Sequence, residues 1–268
     1  VTDTTQTTPA QIETELLDVA RAAARASADV LLRFYGAAPG IRTKSTDTDL
    51  VSEADVQAEQ AIRALLRARR PGDAVLGEEG GETAATGESG IRWIVDPLDG
   101  TVNYLFGYPQ WSVSVACEDA SGTLAGVVLD PLRGEEFAAT RSGPATLNGE
   151  PLRGSERGEL APALVATGFS YDARLRARQA EVVLHVLPRV ADIRRGGSAA
   201  LDLAWTAAGR TDAYWERGIN PWDFAAGALL CRRAGLAVHE LIAAHELPAG
   251  LVVGPAAIVD ELHALVSH

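Results

Sequence analysis

The stretch Trp93-Ile-Val-Asp96-Pro97-Leu98-Asp99-Gly100-Thr101-Val-Asn103 sets two aspartates around a proline, followed by a glycine and a threonine. Apolar residues lead into the acids, so a strand is expected to end where they begin. Pro97 cannot extend a hydrogen-bonded ladder and fixes its own φ. That would hold Asp96 and Asp99 in one turn, both carboxylates facing a common point. Gly100 lets backbone approach a ligand closely, and a helix starting after it would aim the amides of Gly100 and Thr101 at an anion. Carboxylates for Mg²⁺ beside amides for phosphate are what phosphoryl chemistry needs. Asp-Pro and Asp-Gly are also ordinary turn signals, so this segment alone leaves turn and site both open.

Three further acidic clusters bear on the choice. Gly77-Glu78-Glu79-Gly80 follows an apolar strand pattern, and adjacent carboxylates repel unless solvated or metal-bound. Trp222-Asp223 opens an otherwise apolar helix pattern, where an acid also suits the dipole. Asp49-Leu-Val-Ser-Glu53-Ala-Asp55 opens another, where capping is the plain alternative.

Hydrophobic spacing places these acids on elements. Helices are expected over Ile12–Tyr35 and about Ser52–Arg70, around a polar stretch Thr43–Asp49. Short strands follow at Ala74–Leu76, Ile91–Val95, Trp111–Cys117, Leu124–Leu129 and Glu136–Ala139. Turns run to about Gly158. Then come strand Leu164–Thr167, helix Arg174–Val190, segment Asp192–Arg195, helix Ala199–Ala208, strand Ala213–Trp215, helix Trp222–Ala234 and a strand near Leu251–Val253. The expected organisation is an α+β half, 1–158, with most of the acids, and an α/β half, 159–268, that brings Asp223. The threonine-rich start, Val1 to Pro9, reads as a flexible tail.

Bulk properties narrow the function classes. A 47% hydrophobic and 22% charged composition over 268 residues supports a packed core without staples. The net charge of −12 argues against nucleic acid and anionic membrane as partners. It also repels a phosphate substrate unless cations sit in the site. Cys117 and Cys231 lack zinc-ligand spacing and read as buried thiols, which fits a reducing cytoplasm. No apolar run approaches the roughly 18 residues of a membrane span.

Taken in chain order, Lys44 to Asp55 with Glu59, Gly77-Glu78-Glu79, Asp96-Pro-Leu-Asp-Gly-Thr-Val-Asn103, Gly197-Ser-Ala199, and Glu216 through Trp222-Asp223 resemble the inositol monophosphatase family over nearly the whole chain. The resemblance implies a layered αβαβα sandwich, a homodimer, and Mg²⁺-dependent, lithium-sensitive hydrolysis of a small phosphate monoester. Inositol monophosphate is the leading substrate, and histidinol phosphate or another sugar or nucleotide phosphate handled by related families, such as fructose 1,6-bisphosphate or adenosine bisphosphate, is the alternative. Carried over, Glu78, Asp96 and the Leu98 carbonyl are expected to hold one metal, and Asp96, Asp99 and Asp223 a second. A third, weaker ion would lean on Glu78, for two or three Mg²⁺ per site. Asp55 and Thr101 match the pair that orients water, and Glu78 is counted with them as catalytic. Asp99 and the amides of Gly100 and Thr101 are expected on the substrate phosphate side. Gly197, Ser198, Ala199 and Glu216 are expected on the rest of the substrate, with Ser170 nearby. Glu216 is read as lying on a loop after strand Ala213–Trp215.

The chain departs from the family after Ala234, where Gly235-Leu-Ala-Val-His239 replaces the usual Gly-Gly and extended segment. Ser52 and Ser198 also stand where threonine is common. A non-enzymatic regulatory binding protein is the contrasting reading. It would be free to lose Asp55, Asp96, Asp99 or Asp223, and all four are present.

Overall fold

A computed structural model describes residues 8–36, 41–43 and 50–267, with the side chains of all but 41–43 and 50–52. The start up to Thr7 and the block Lys44–Asp49 lie outside the described residues. Helices α1 (Pro9–Phe34) and α2 (Glu53–Arg69) flank a small hairpin, β1 (Ile41–Thr43) and β2 (Leu50–Ser52). Thr8 and Gln11 form a capping box at the start of α1. Leu16, Ala20, Ala23, Ala24 and Leu31 make its buried stripe at helical spacing.

The first sheet contains β3 (Ala74–Gly77), β4 (Gly81–Thr83), β5 (Arg92–Asp99), β6 (Ser112–Asp119), β7 (Gly122–Asp130), β8 (Glu135–Thr140), β9 (Thr146–Leu147) and β10 (Glu150–Pro151), with short helix α3 (Thr101–Leu105) after β5. Its order is β10-β9-β8-β7-β6-β5-β3-β4, antiparallel except for β3 beside β5. The second sheet is β12-β11-β13-β15-β14, from β11 (Leu164–Thr167), β12 (Asp192–Arg194), β13 (Ala213–Arg217), β14 (Ala237–Leu241) and β15 (Gly250–Gly254). Helices α4 (Ala173–Val186), α5 (Ala199–Ala207), α6 (Pro221–Arg233) and α7 (Val259–Val266) complete the described chain.

Strand alternation builds the layers. Trp93, Val95, Val113, Val115 and Val127 pack in one core with α1 and α2. Ile94, Ala116 and Val128 point the other way, into a core with α5 and α6 that also receives Ala166, Tyr214 and Val253 of the second sheet. Val165, Trp215 and Val252 turn from that core to a third, beneath α4 and α7. The result is the expected αβαβα sandwich. Gly126 lets α6 close onto β7, since a Cβ there would sit 2.9 Å from the Ala226 Cα. Cys117 and Cys231 are buried and unlinked, and burial pushes both thiols up to about 12.

The structure differs from the sequence expectation at several places: α1 begins at Pro9, within the expected tail, and the short strands β1, β4, β9 and β10 stand where loops and turns were expected. β5 runs on through Asp99 instead of ending before Asp96. Glu216 belongs to β13, not to a loop. β14 and α7 occupy stretches where no element was expected. β14 is an edge strand in which half-buried His239 and exposed Glu240 break the apolar run a strand usually shows.

Candidate active site

β3 and β5 run parallel with Gly77 opposite Val95, so the residue after β3, Glu78, comes beside Asp96. Glu59 of α2 shapes this turn. Its carboxylate accepts the Glu79 and Gly80 amides at 2.7 and 2.8 Å and is held by Arg63 at 2.6 Å. Gly77 and Gly80 leave the space it fills, as a Cβ on either would press on it.

In a regular strand, residues three apart face opposite sides. Asp96 pairs with Ser114 and Asp99 with Ser112, so β5 spends three steps where β6 spends two. That one-residue bulge turns both carboxylates to the same side. The bulged Pro97 carbonyl accepts from Ser27 of α1 at 3.0 Å, and Leu98 buries its side chain in the first core. Asp223, in the first turn of α6, joins them. Asp96, Asp99 and Asp223 each offer an oxygen, and these atoms lie within 4.8 Å of one another.

Each aspartate is tied down by one oxygen. Asp96 accepts the Leu98 amide at 3.0 Å, and Asp223 the Asn220 amide at 2.6 Å. Asp99 accepts Ser198 Oγ at 2.5 Å and the Ala200 amide at 2.7 Å. Burial raises the Asp96 carboxyl well above the ordinary range, reinforced by Glu78, Asp99, Asp223 and Asp55. Burial lifts Asp99 to about 6 against its hydrogen bonds, and burial with the Asp99 charge raises Asp223. Arg217, next to Glu216 on β13, turns its guanidinium to the opposite face of the strand, where it donates to the carbonyls of Ile242, Pro248 and Val266. An all-oxygen, crowded set of buried carboxylates fits a hard divalent cation such as Mg²⁺.

The cleft around this cluster is about 290 Å³ and is lined by Glu78, Asp96, Leu98, Asp99, Gly100, Thr101, Gly197, Ala199, Glu216 and Asp223. Ser170 lines it as well. Asp55 and Ser198 stand fully buried behind it. Thr101 Oγ1 lies 3.3 Å from Asp55 Oδ2 and 3.0 Å from the Leu98 carbonyl. Gly100 adopts a left-handed φ of 94°, and a Cβ there would meet the Gln110 carbonyl at 3.0 Å. Ser198 caps α5 and meets Ser112 Oγ at 3.1 Å, which ties that helix to β6. Glu216 sits opposite Gly168, whose hydrogen leaves room for the carboxylate that any Cβ would strike. Burial raises Glu216 to about 7, while Tyr214 donates to it at 2.9 Å.

Several participants had no assignment from sequence: Ser112, Asn103, Gly168 and Tyr214. Asn103 Nδ2 donates to the carbonyls of Gln110 and Gly196 at 2.6 and 2.9 Å, joining the two loops of the cleft. Its place at the end of the aspartate motif was the available signal. Gly168 and Tyr214 carried none, because their roles depend on strand register.

A model of the inositol monophosphatase family matches residues 12–260. The inositol-1-monophosphatase SuhB of Mycobacterium tuberculosis is 45% identical over 231 residues, covering 83% of this chain and 79% of that protein. The Nus factor SuhB of Pseudomonas aeruginosa is 42% identical over 240 residues, covering 86% and 87%. The crystal structure of extragenic suppressor protein suhB from Bartonella henselae superposes with a TM-score of 0.86 at 35% identity, covering 94% of this chain and 98% of that one. With the fold, the aspartate cluster and a family match across nearly its full length, the chain belongs to the inositol monophosphatase family.

Proposed function

We propose that the chain hydrolyses a small phosphate monoester, inositol monophosphate foremost, to the free alcohol and inorganic phosphate. The carrying observation is the convergence of Asp96, Asp99 and Asp223 from two different elements on one point of a polar cleft. Glu78, Asp96, the Leu98 carbonyl, Asp99 and Asp223 are the proposed ligands of two or three Mg²⁺. When bound, Mg²⁺ would offset the carboxylate and phosphate charges and acidify water.

The chain's own groups supply the rest. The single Thr101 hydroxyl hydrogen can turn to the Leu98 carbonyl at 3.0 Å or to Asp55 at 3.3 Å, and when turned to Asp55 it leaves lone pairs to accept from a water. A proton leaving that water therefore has a path through Thr101 to Asp55. The water oxygen bonds to phosphorus as the ester P–O bond breaks, and the departing alcohol takes up a proton. The amides of Gly100 and Thr101 are the proposed donors to the phosphate oxygens. Gly197, Ala199 and Glu216 are the proposed contacts of the alcohol, whereas Ser198, expected there from the sequence, is buried behind the cleft and holds Asp99 instead. We carry the homodimer, lithium sensitivity and cytoplasmic location over from the family resemblance and the sequence, as proposals. Among the described residues, no helix is long and apolar enough to cross a membrane.

Phosphate release from inositol 1-phosphate, histidinol phosphate, a nucleotide and an aryl phosphate tests the reading. Inositol 1-phosphate should give the highest kcat/KM, and faster histidinol phosphate turnover would reassign the substrate. Glu216→Gln should lower kcat/KM for inositol 1-phosphate roughly ten- to hundredfold, the scale of a hydrogen bond to a charged group, and barely affect the aryl phosphate. Equal losses on both would mean that Glu216 supports the fold or the metals.

A further inference from the structure

We propose that Asp202 of α5 is a positioning residue for the alcohol side of the cleft: its carboxyl braces, from behind, the Gly196–Gly197 turn that leads to the proposed alcohol contacts. This rests on the phosphatase reading above and deepens it.

Asp202 lies in the first turn of α5, and its amide donates to the carbonyl of the cap residue Ser198 at 2.9 Å. Helical side chains lean toward the N-terminus, so the carboxyl comes back over the turn that precedes the helix. It fills the place a side chain on Gly196 would need. A Cβ there would collide with Asp202 Oδ1 and sit 3.0 Å from Oδ2. Gly196 is thus bare for packing, whereas Gly197 also needs its left-handed φ of 91°. From the other side, Asn103 Nδ2 donates to the Gly196 carbonyl at 2.9 Å. The turn is therefore clamped between α3 and α5, and it runs directly into Ser198, which holds Asp99 at 2.5 Å.

The brace is an unusual one. Asp202 is 4% exposed, and its Oδ2 has no hydrogen-bond partner among the described residues. An unpaired buried polar atom costs stability, and the rest of α5 is largely alanine and leucine, so an apolar residue would pack there without that cost. Burial raises the Asp202 carboxyl well above the ordinary range. The Glu216 and Asp99 charges add to this, and the Gly196 amide and Arg195 oppose it only in part. Asp202 therefore holds its proton at neutral pH, and no second negative charge stands behind Glu216, the proposed acceptor of substrate hydroxyls. A local cost of this kind at the wall of a substrate cleft points to function more than to folding.

The test measures kcat and KM in Mg²⁺ for inositol 1-phosphate and for an aryl phosphate, which has no hydroxyls to position. Asp202→Ala should raise KM for inositol 1-phosphate roughly tenfold, the scale of one buried polar contact, with kcat moving less and the aryl phosphate losing much less. Asp202→Asn keeps the shape and the neutrality and should recover most of that loss. Gly196→Ala should reproduce the Asp202→Ala defect by displacing the carboxyl, and the double variant should cost little more than either alone. If Asp202→Ala does not fold, Gly196→Ala and Asp202→Asn decide the matter on the same ratio of esters. A ratio unchanged from wild type in the alanine variants, even with a lowered melting temperature, would show that Asp202 serves only the fold. An Asp202→Asn protein as impaired as Asp202→Ala would refute the neutral brace. If wild type releases no phosphate from inositol 1-phosphate, the substrate reading itself fails and the positioning role falls with it.

Discussion

Asp96→Asn is expected to lower turnover by roughly 10²–10³-fold or more, the scale of losing one preorganised charge-stabilising group, and to raise the melting temperature of the metal-free protein. Asp96 is 1% exposed and feels four other carboxylates. Without a cation, its ionised form is held against both desolvation and repulsion. Asparagine keeps the shape and can still accept from the Leu98 amide, but it removes the charge. The same imbalance sets a pH dependence. Asp96, Asp99 and Glu216 bind protons more tightly folded than unfolded, with Asp99 raised from 3.8 to about 6 and Glu216 from 4.5 to about 7. The folded state then carries the extra protons, so metal-free stability is highest at low pH within this window and falls as pH rises from about 4 to about 7. Mg²⁺ needs the ionised carboxylates, so its upward shift of Tm should grow over that window. Thermal melts at pH 5 and 8, with and without Mg²⁺, check this. A Tm shift independent of pH, or an Asp96→Asn protein with wild-type turnover, would count against the assignment.

Thr101→Ala carries the second large effect, on kcat. Thr101 lies in the first turn of α3, and its hydroxyl bridges Asp55 on α2 and the Leu98 carbonyl on β5. Removing the hydroxyl leaves Asp55 buried with no route to a substrate water, so kcat should fall by roughly 10²–10⁴, the range of a lost general-base function. The Mg²⁺ concentration for half-maximal activity should move little, because Thr101 is proposed to orient water. Thr101→Ser should recover much of the rate, since it restores the oxygen. A Mg²⁺ requirement that rises in step with the loss of rate would instead place Thr101 in the metal site. A phospho-enzyme burst in rapid quench would contradict direct attack by water.

How far the site could be read from sequence follows from which contacts are local. Asp96 through Asn103 lie within one motif, and their residue types declare the chemistry. Even there the means differed. A proline turn was expected to align the two acids, whereas a bulge against Ser112 and Ser114 does so. A bulge depends on the partner strand, which local spacing does not show. Glu216 was placed correctly at the cleft but on the wrong element. Its strand continues past Trp215 because Gly250 and Leu251 of β15 pair with Arg217 and Glu216. Gly168, just after the neighbouring strand β11, makes room for it. The individual elements were legible because apolar residues run along β5 to β7 and recur at helical spacing on α1, whereas the layering was expected from the family resemblance. The polar edge strand β14 gave no such pattern.

The most direct measurement is phosphate release from inositol 1-phosphate in excess chelator, followed by titration with Mg²⁺. Release should be absent in chelator and return as Mg²⁺ is added, because the clustered carboxylates of Asp96, Asp99 and Asp223 repel a phosphate until their charge is offset. Undiminished turnover in chelator would contradict a metal-dependent phosphatase built on this cluster.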